Sequence, residues 1–190
     1  MTVQTRDDGF RSPAELLRRL FSAGAISGRS MTNAEEEERQ AALFGYAYAT
    51  AKGLVSFAVK PGEGPQRDYD ALFRWRQGVR IEKVPVQLKR LPPERINADE
   101  TLENIIAKAA VKCTGNDLLV AIHLDRRAHF TSTTIPKSFR IRELCLWGWA
   151  KPDQAQLMVN SYVLGDSEGQ QWLVDFPPPG FRRVRRIHPS

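Results

Sequence analysis

The stretch 67–91 constrains the fold of this chain most strongly, because it predicts two adjacent β-strands. The first predicted strand covers residues 70–75 and the second covers residues 79–91. Between them, Gly78 is free to adopt the positive φ that a tight hairpin turn requires. The sequence therefore predicts a β-hairpin at the centre of the fold.

Side-chain alternation along this hairpin predicts a polar cluster. Because successive side chains of a strand point to opposite faces, Gln87 and Lys89 share one face of the second strand. The two valines and the leucine that alternate with them share the other face. Asp70 opens the first strand. If the two strands pair, a carboxylate, an amide and an ammonium group converge.

These residues resemble the core of the PD-(D/E)XK nuclease superfamily. Asp70, an apolar strand, a short turn, a second apolar strand and the triplet Gln87-x-Lys89 follow one another as in the version of that superfamily in which Gln replaces the acid before the Lys. The sequence pattern RxYDxxF…VPVQLK is similar to that of superfamily members with a YD…QVK signature. This group includes an intron-encoded homing endonuclease. The resemblance covers roughly residues 33–125 and rests on short motifs.

Helix signals lie on both sides of the hairpin. Thr32 and Glu35 form a capping box that begins a helix ending near Gly53. Asn97 and Glu100 form a capping box before a second, amphipathic helix. The hairpin is therefore predicted to lie between two capped helices.

Apolar runs at 54–60 and 117–125 predict two further strands. A helix between two strand regions predicts a parallel crossover. The order helix, strand, strand, strand, helix, strand is that of the superfamily. The resemblance thus implies an α/β (α+β) fold, in which helices flank a central mixed β-sheet. This is a restriction-endonuclease-like αβββαβ core, with further strands, or a short helix and strands, towards the C terminus.

Pro85 conflicts with a regular central strand, because proline has no N–H to donate to a neighbouring strand. The sequence predicts either a β-bulge at Pro85 or a strand that begins only at Val86. Both alternatives keep Gln87 and Lys89 on one face.

The length of 190 residues predicts one domain with appendages. We expect an N-terminal helix and linker over residues 1–30, of which residues 1–11 lie outside the fold. A single nuclease-like domain is expected over residues 31–180, and a basic tail over residues 181–190.

The formal net charge of +6 favours a polyanionic partner. The candidate phosphate contacts are four arginines of the tail and two lysines four residues apart on the second capped helix: Arg182, Arg183, Arg185, Arg186, Lys108 and Lys112. The alternatives are a flexible soluble tail and a solvated helix face.

Cys113 and Cys145 each lie in an apolar run and are predicted to be buried free thiols. This cysteine usage favours a reducing compartment and a cytoplasmic location. No apolar run approaches the ~20 residues that a membrane-spanning helix needs, so no membrane partner is expected.

The resemblance implies a centre for Mg²⁺, with Mn²⁺ as a substitute. Asp70 would be the principal ligand, joined by the amide carbonyl of Gln87, the backbone carbonyl of Leu88 and, directly or through water, the carboxylate of Glu38. Lys89 would orient the attacking water and offset charge on the phosphate. The implied function is a Mg²⁺-dependent DNA endonuclease, with RNA left open as a substrate. Cutting both strands of a duplex needs two sites, which favours a homodimer or tetramer.

The choice of Glu38 rests on small residues that follow it on one helix face, among them Ala41 and Gly45, because they let the helix lie close to the sheet. Glu35 is the reserve. Because Gln87 carries no charge, the site should hold metal more weakly than its acidic counterpart. Because Gln replaces the acid at residue 87, the second alternative is a nucleic-acid-binding or assembly module with the same fold and no cleavage. An unrelated α+β protein, with these side chains separated, is the third alternative.

Overall fold

The computed structural model describes residues 9–27, 32–62, 69–112, 117–130, 135–136, 139–163 and 169–178. Within these ranges the chain is a mixed α+β fold of three helices and one seven-stranded sheet. The helices are α1 (Pro13–Ser27), α2 (Asn33–Ala51) and α3 (Leu102–Lys112). The strands are β1 (Val55–Pro61), β2 (Ala71–Gln77), β3 (Arg80–Leu91), β4 (Leu119–Leu124), β5 (Glu143–Trp149), β6 (Gln156–Val163) and β7 (Gln170–Asp175).

The sheet follows the order of the chain from β1 to β7. Strands β1, β2 and β3 form an antiparallel meander, and Gly78 takes a φ of +61° in the turn of the predicted hairpin. Strands β3, β4 and β5 are parallel, with α3 as the crossover between β3 and β4. Strands β5, β6 and β7 are antiparallel. The prediction of a mixed sheet with helices and a parallel crossover is confirmed, and the apolar segments near the C terminus are strands.

Helices cover both faces of this sheet. On one face, α1 and α2 bury an aromatic core in which Phe44 lies 5.7 Å from both Phe73 and Trp147, measured between ring centroids. A Cβ added at Gly45 would lie 2.7 Å from a methyl carbon of Val59, so α2 lies as close to β1 as its small residues predict. On the other face, α3 covers a second core over β4, β5 and the end of β3. None of the three helices described in these ranges is long and apolar enough to cross a membrane.

The capping box of α2 is confirmed. The Thr32 hydroxyl accepts a hydrogen bond from the Glu35 N–H, and the Glu35 carboxylate accepts one from the Thr32 N–H at 2.8 Å. At the other end, Gly53 has a φ of +62° directly after the C-cap residue Lys52. The sequence therefore fixes both ends of the helix that follows the N-terminal linker.

The predicted start of α3 is wrong. The helix begins at Leu102, and the hydroxyl of Thr101 accepts the hydrogen bond from the Asn104 N–H at 3.2 Å that caps it. Asn97 instead accepts the Glu100 N–H in a turn that precedes the helix. Two adjacent segments carry the same type of capping residue, and the one next to the apolar stripe begins the helix.

The β-bulge predicted at Pro85 and the alternative strand start at Val86 are both wrong. Strand β3 pairs with β2 in unbroken register from Arg80 to Val86. Pairing between β3 and β4 begins only at Val86, opposite Leu119. Among the described residues, β3 therefore has a hydrogen-bonded strand neighbour on one side only at Pro85. A residue without an N–H is tolerated at such an edge.

The chain before α1 also takes part in the fold. The N–H of Arg11 donates to the Val59 carbonyl at 2.9 Å, and the Val59 N–H donates to the Arg11 carbonyl at 2.7 Å. The prediction that residues 1–11 lie outside the fold is therefore wrong for Arg11, whereas residues 1–8 are outside the described ranges. In α1, Leu16 and Leu17 are fully buried in the core under α2.

Candidate active site

Strands β2 and β3 bring the side chains of Asp70 and Gln87 into contact. Asp70 Oδ2 accepts hydrogen bonds from the side-chain amide of Gln87 and, at 2.7 Å, from the backbone N–H of Leu88. The Asp70 N–H donates to the Val86 carbonyl at 2.9 Å, and its carbonyl accepts from the Gly62 N–H at 2.7 Å. The carboxylate is therefore held in place by both its own backbone and the neighbouring strand.

Lys89 lies on the same face of the sheet as Gln87. Leu88, between them, packs towards the core under α2. The strand partner of Lys89 is Ile122, which belongs to the core under α3 on the opposite face. Because Asp70 contacts Gln87, the three side chains predicted to converge share the α3 face of the sheet. Lys89 is partly exposed there.

The two helix glutamates considered as further ligands have other partners. Glu38 forms an ion pair with Arg19 of α1. Glu35 completes the capping box with Thr32. No hydrogen bond or ion pair joins either carboxylate to Asp70 within the described part of the chain. The role of Glu38 as a metal ligand stays a prediction.

Glu36 is a helix acid that the sequence analysis did not select, and its hydrogen-bond partners lie on its own helix. Its carboxylate accepts hydrogen bonds from Arg39 at 2.8 and 2.7 Å and from the amide of Gln40 at 3.0 Å. Burial alone would raise the pKa of Glu36, but these hydrogen bonds and the charge of Arg90 on β3 lower it. Glu36 is therefore ionised close to the end of β3.

His123 lies near the same end of the sheet but on the α2 face. Its ring stacks on Trp147 with 4.3 Å between centroids, and the residue is 3% exposed. Burial lowers the pKa of His123 to about 4, although the nearby charge of Asp125 opposes this shift. Neither ring nitrogen has a hydrogen-bond partner among the described residues. His123 is therefore neutral at pH 7 and buried, as a core residue is.

A second polar cluster, which the sequence reasoning also missed, lies at the other end of the sheet. Glu143 is 4% exposed and accepts hydrogen bonds from the hydroxyls of Tyr48, at 2.8 Å, and Ser161. Lys52 Nζ lies 3.1 Å from Glu143 Oε1, donates to Ser161 at 3.0 Å and stands 4.8 Å from the ring centroid of Trp172. Burial raises the pKa of Tyr48, and the Glu143 charge raises it further. We name these residues the Glu143 cluster.

The Glu143 cluster opens onto a cavity of about 570 Å³. The cavity lies between the end of α2, the β2–β3 turn and the start of β5, with Trp75 and Arg142 in its wall. Below the cluster, the thiol of Cys145 is fully buried, as predicted, and burial raises its pKa. Cys113 lies outside the described residues.

The predicted phosphate contacts are only partly described. Lys108 forms an ion pair with Glu100, with its Nζ 3.0 and 2.7 Å from the two carboxylate oxygens. Lys112 is exposed at the last position of α3. The four tail arginines lie outside the described residues. The roles of these six side chains in nucleic-acid binding stay predictions.

The donors around Asp70 are one carboxylate, one side-chain amide and the backbone of Leu88. Mg²⁺ accepts such a set, because it binds one or two carboxylates and carbonyl oxygens and keeps several waters. A half-turn of the Gln87 amide exchanges its nitrogen for its oxygen and presents a carbonyl beside Asp70. Within the described ranges no group of three or more His, Cys, Asp or Glu side chains is placed to hold a metal ion. The groups seen in contact with the Asp70 carboxylate are N–H donors, from the Gln87 amide and the Leu88 backbone, so binding of Mg²⁺ at this position stays a prediction.

Comparison with family models, with curated proteins and with solved structures found no match to this chain. The element order α2, β1, β2, β3, α3, β4 is the one that the resemblance implied. Membership of the PD-(D/E)XK superfamily stays a prediction, because it rests on the residues of the hairpin and on this order of elements.

Proposed function

We propose that this protein is a Mg²⁺-dependent endonuclease that hydrolyses phosphodiester bonds of DNA. The observation that carries this proposal is the contact of Asp70 with Gln87 across β2 and β3, with Lys89 on the same face of the sheet. This contact between residues 17 positions apart supports the proposal, because the resemblance implies that these two side chains lie together. A homodimer or tetramer is the assembly we expect for cutting both strands.

The role of each group follows from its chemistry. The Asp70 carboxylate, the Gln87 amide oxygen and the Leu88 carbonyl would hold Mg²⁺, which supplies Lewis acidity towards the phosphate and lowers the pKa of water. Lys89 carries three N–H donors on a flexible stem. Its ammonium orients the attacking water and balances the negative charge that develops on the phosphate.

Because residue 87 is a glutamine, a second carboxylate ligand from outside the hairpin is more important here than in sites that carry an acid at that position. A neutral amide at residue 87 leaves Asp70 as the one carboxylate among the ligands proposed on the β2–β3 hairpin. Glu38 is the candidate for that carboxylate in this proposal, but α2 covers the face of the sheet opposite Asp70, so Glu38 would have to reach around the end of the sheet and give up its ion pair with Arg19 for the cation. Because Arg19 is half-exposed, this exchange returns a guanidinium to water and leaves no buried charge unpaired.

A DNA-binding module without cleavage is the second candidate. It is favoured by the single carboxylate at the strand pair and by the partners that Glu35 and Glu38 already have. Such a module binds DNA in a salt-sensitive manner when EDTA is present and shows no turnover with any divalent cation.

The test of the proposal is nicking of supercoiled plasmid DNA by the full-length protein. We expect nicking with Mg²⁺ or Mn²⁺, loss of nicking with EDTA, and its return when Mg²⁺ is added in excess. DNA binding without nicking at any divalent cation concentration contradicts the proposal and supports the binding module. Nicking that persists in EDTA contradicts the metal dependence.

A further inference from the structure

The cavity beside the Glu143 cluster has the size of a small-molecule site. Its volume of about 570 Å³ lies within the range of about 300–1,000 Å³ that is typical of ligand pockets. Arg76, near the end of β2, lines this cavity. At about 3.4 Å per residue, Arg76 lies roughly 20 Å along the strand from Asp70. The cavity is therefore separate from the candidate active site.

The negative charge of Glu143 is compensated within the cluster. Lys52 Nζ lies 3.1 Å from its carboxylate, which also accepts two hydroxyl hydrogen bonds. A buried carboxylate with a cation and hydrogen-bond donors around it does not require a further cation. Two arginines, Arg76 and Arg142, also line the cavity. The wall therefore carries more positive than negative charge.

The two guanidinium groups have N–H donors available for a ligand. Among the described residues, neither Arg76 nor Arg142 donates a side-chain hydrogen bond. The carboxylate of Glu82 is 3.8 Å from Arg142, which is longer than a hydrogen bond. The guanidinium carbon of Arg142 lies 5.6 Å from the ring centroid of Trp75, and this contact favours a fixed position for the planar group. An arginine presents its donors as a rigid fork that matches an oxyanion.

Apolar side chains complete the cavity wall. Val55 and Val163 line it and are 65% and 42% exposed. Leu54 lies beside them in the same wall. An inorganic anion would leave this apolar surface in water, whereas a ligand with an apolar or aromatic body would remove it from water. The cavity therefore suits a ligand that has both an anionic group and an apolar part.

The pair of arginines favours a phosphate monoester over a carboxylate. One guanidinium fork matches the two oxygens of a carboxylate. A phosphate monoester carries a charge of about −1.5 to −2 at pH 7 and has three acceptor oxygens. It can therefore accept hydrogen bonds from both Arg76 and Arg142.

We infer that this cavity binds a phosphate monoester with an apolar or aromatic body, the chemical class to which 5′-mononucleotides belong. The phosphate meets Arg76 and Arg142, and the body lies against Val55 and Val163. This site goes beyond the proposed function, because it lies at the other end of β2 from Asp70 and needs no divalent cation.

The test is isothermal titration calorimetry of the full-length protein with deoxyadenosine 5′-monophosphate, in EDTA and 0.1 M NaCl. We expect this nucleotide to bind at least about tenfold more tightly than inorganic phosphate, which lacks the body, and than deoxyadenosine, which lacks the charge. The double variant Arg76→Gln/Arg142→Gln should bind the nucleotide on the order of a hundredfold more weakly, because both forks lose their hydrogen bonds to a charged phosphate.

Glu82→Gln should bind the nucleotide a few-fold more tightly than wild type. Its carboxylate is the acid closest to Arg142 and competes with the phosphate for that charge. A gain in affinity does not arise from a misfolded protein. Unchanged or weaker binding by this variant would contradict the contact with Arg142.

The matched control is Arg95→Gln/Arg140→Gln, which removes two arginines from exposed positions outside the cavity wall. Its affinity should stay within about twofold of wild type. No binding of the nucleotide by wild type, equal affinity for inorganic phosphate, or equal losses in both arginine double variants overturns the inference. Plasmid nicking reports separately on the proposed function, because Asp70→Asn should stop nicking and leave nucleotide binding unchanged.

Discussion

Replacing Asp70 by Asn is expected to reduce Mg²⁺-dependent DNA cleavage by about a thousandfold or more. The substitution removes the one negative charge that the β2–β3 pair offers to a cation. An asparagine oxygen still accepts the hydrogen bond from the Leu88 N–H, so the backbone of both strands stays in place. The measurement is the initial rate of plasmid nicking at saturating DNA, with circular dichroism to confirm that the variant is folded.

Lys89→Met should reduce the rate by a comparable factor while leaving DNA affinity in EDTA close to wild type, because one ion contact among several is lost. Asp125→Asn is the matched control for the aspartate. This residue pairs with Arg90 near the same end of the sheet, close to His123 on the other face. The cleavage rate of the Asp125→Asn variant should stay within a few-fold of the wild-type rate. Full activity in both Asp70→Asn and Lys89→Met contradicts the proposed site.

The largest effect on stability is expected for Lys52→Met. The substitution leaves the Glu143 carboxylate 4% exposed and without its cation. Removal of one partner from a buried ion pair costs about 3–5 kcal/mol of unfolding free energy, because the remaining charge is not compensated. Lys52 keeps part of its side chain in solvent, so about 3 kcal/mol is the expected loss. Urea unfolding at pH 7 measures it.

Lys108→Met provides the matched control, because Lys108 pairs with Glu100 at an exposed position. Its expected cost is below about 1 kcal/mol. The double variant Lys52→Met/Glu143→Gln should recover much of the loss, since it removes the unpaired charge and keeps a side chain that bonds Tyr48 and Ser161. A Lys52→Met protein as stable as the Lys108→Met protein would contradict a stabilising role for the Lys52–Glu143 ion pair.

The parts of the fold that were predictable are those set by local chemistry. The Thr32 capping box and Gly53 fix the ends of α2 through hydrogen bonds between residues a few positions apart. Gly78 and the alternation along β3 fix the hairpin and its faces. The start of α3 was missed because Asn97 and Thr101 both satisfy the local rule for a cap. Pro85 was misjudged because its tolerance depends on where β4 begins to pair.

The candidate site also contains contacts that could be predicted from local sequence and contacts that could not. Asp70 and Gln87 could be predicted together, because a hairpin of known turn sets which residues face each other. The pairing of Glu38 with Arg19 could not, because it depends on how α1 packs against α2. The Glu143 cluster joins the end of α2 to β5 and β6, which are about a hundred residues apart from it in sequence. No local sequence pattern marks contacts that arise only once the sheet has formed.

Thermal unfolding of Gln87→Glu with and without Mg²⁺ tests most directly whether Asp70 and residue 87 hold a divalent cation. Without metal, we expect a lower melting temperature than wild type, because two carboxylates in contact repel each other. Mg²⁺ should restore the lost stability and raise the melting temperature of this variant more than that of wild type, because the added charge tightens binding to the folded state. Melting temperatures that do not respond to Mg²⁺ in either protein would contradict the metal site.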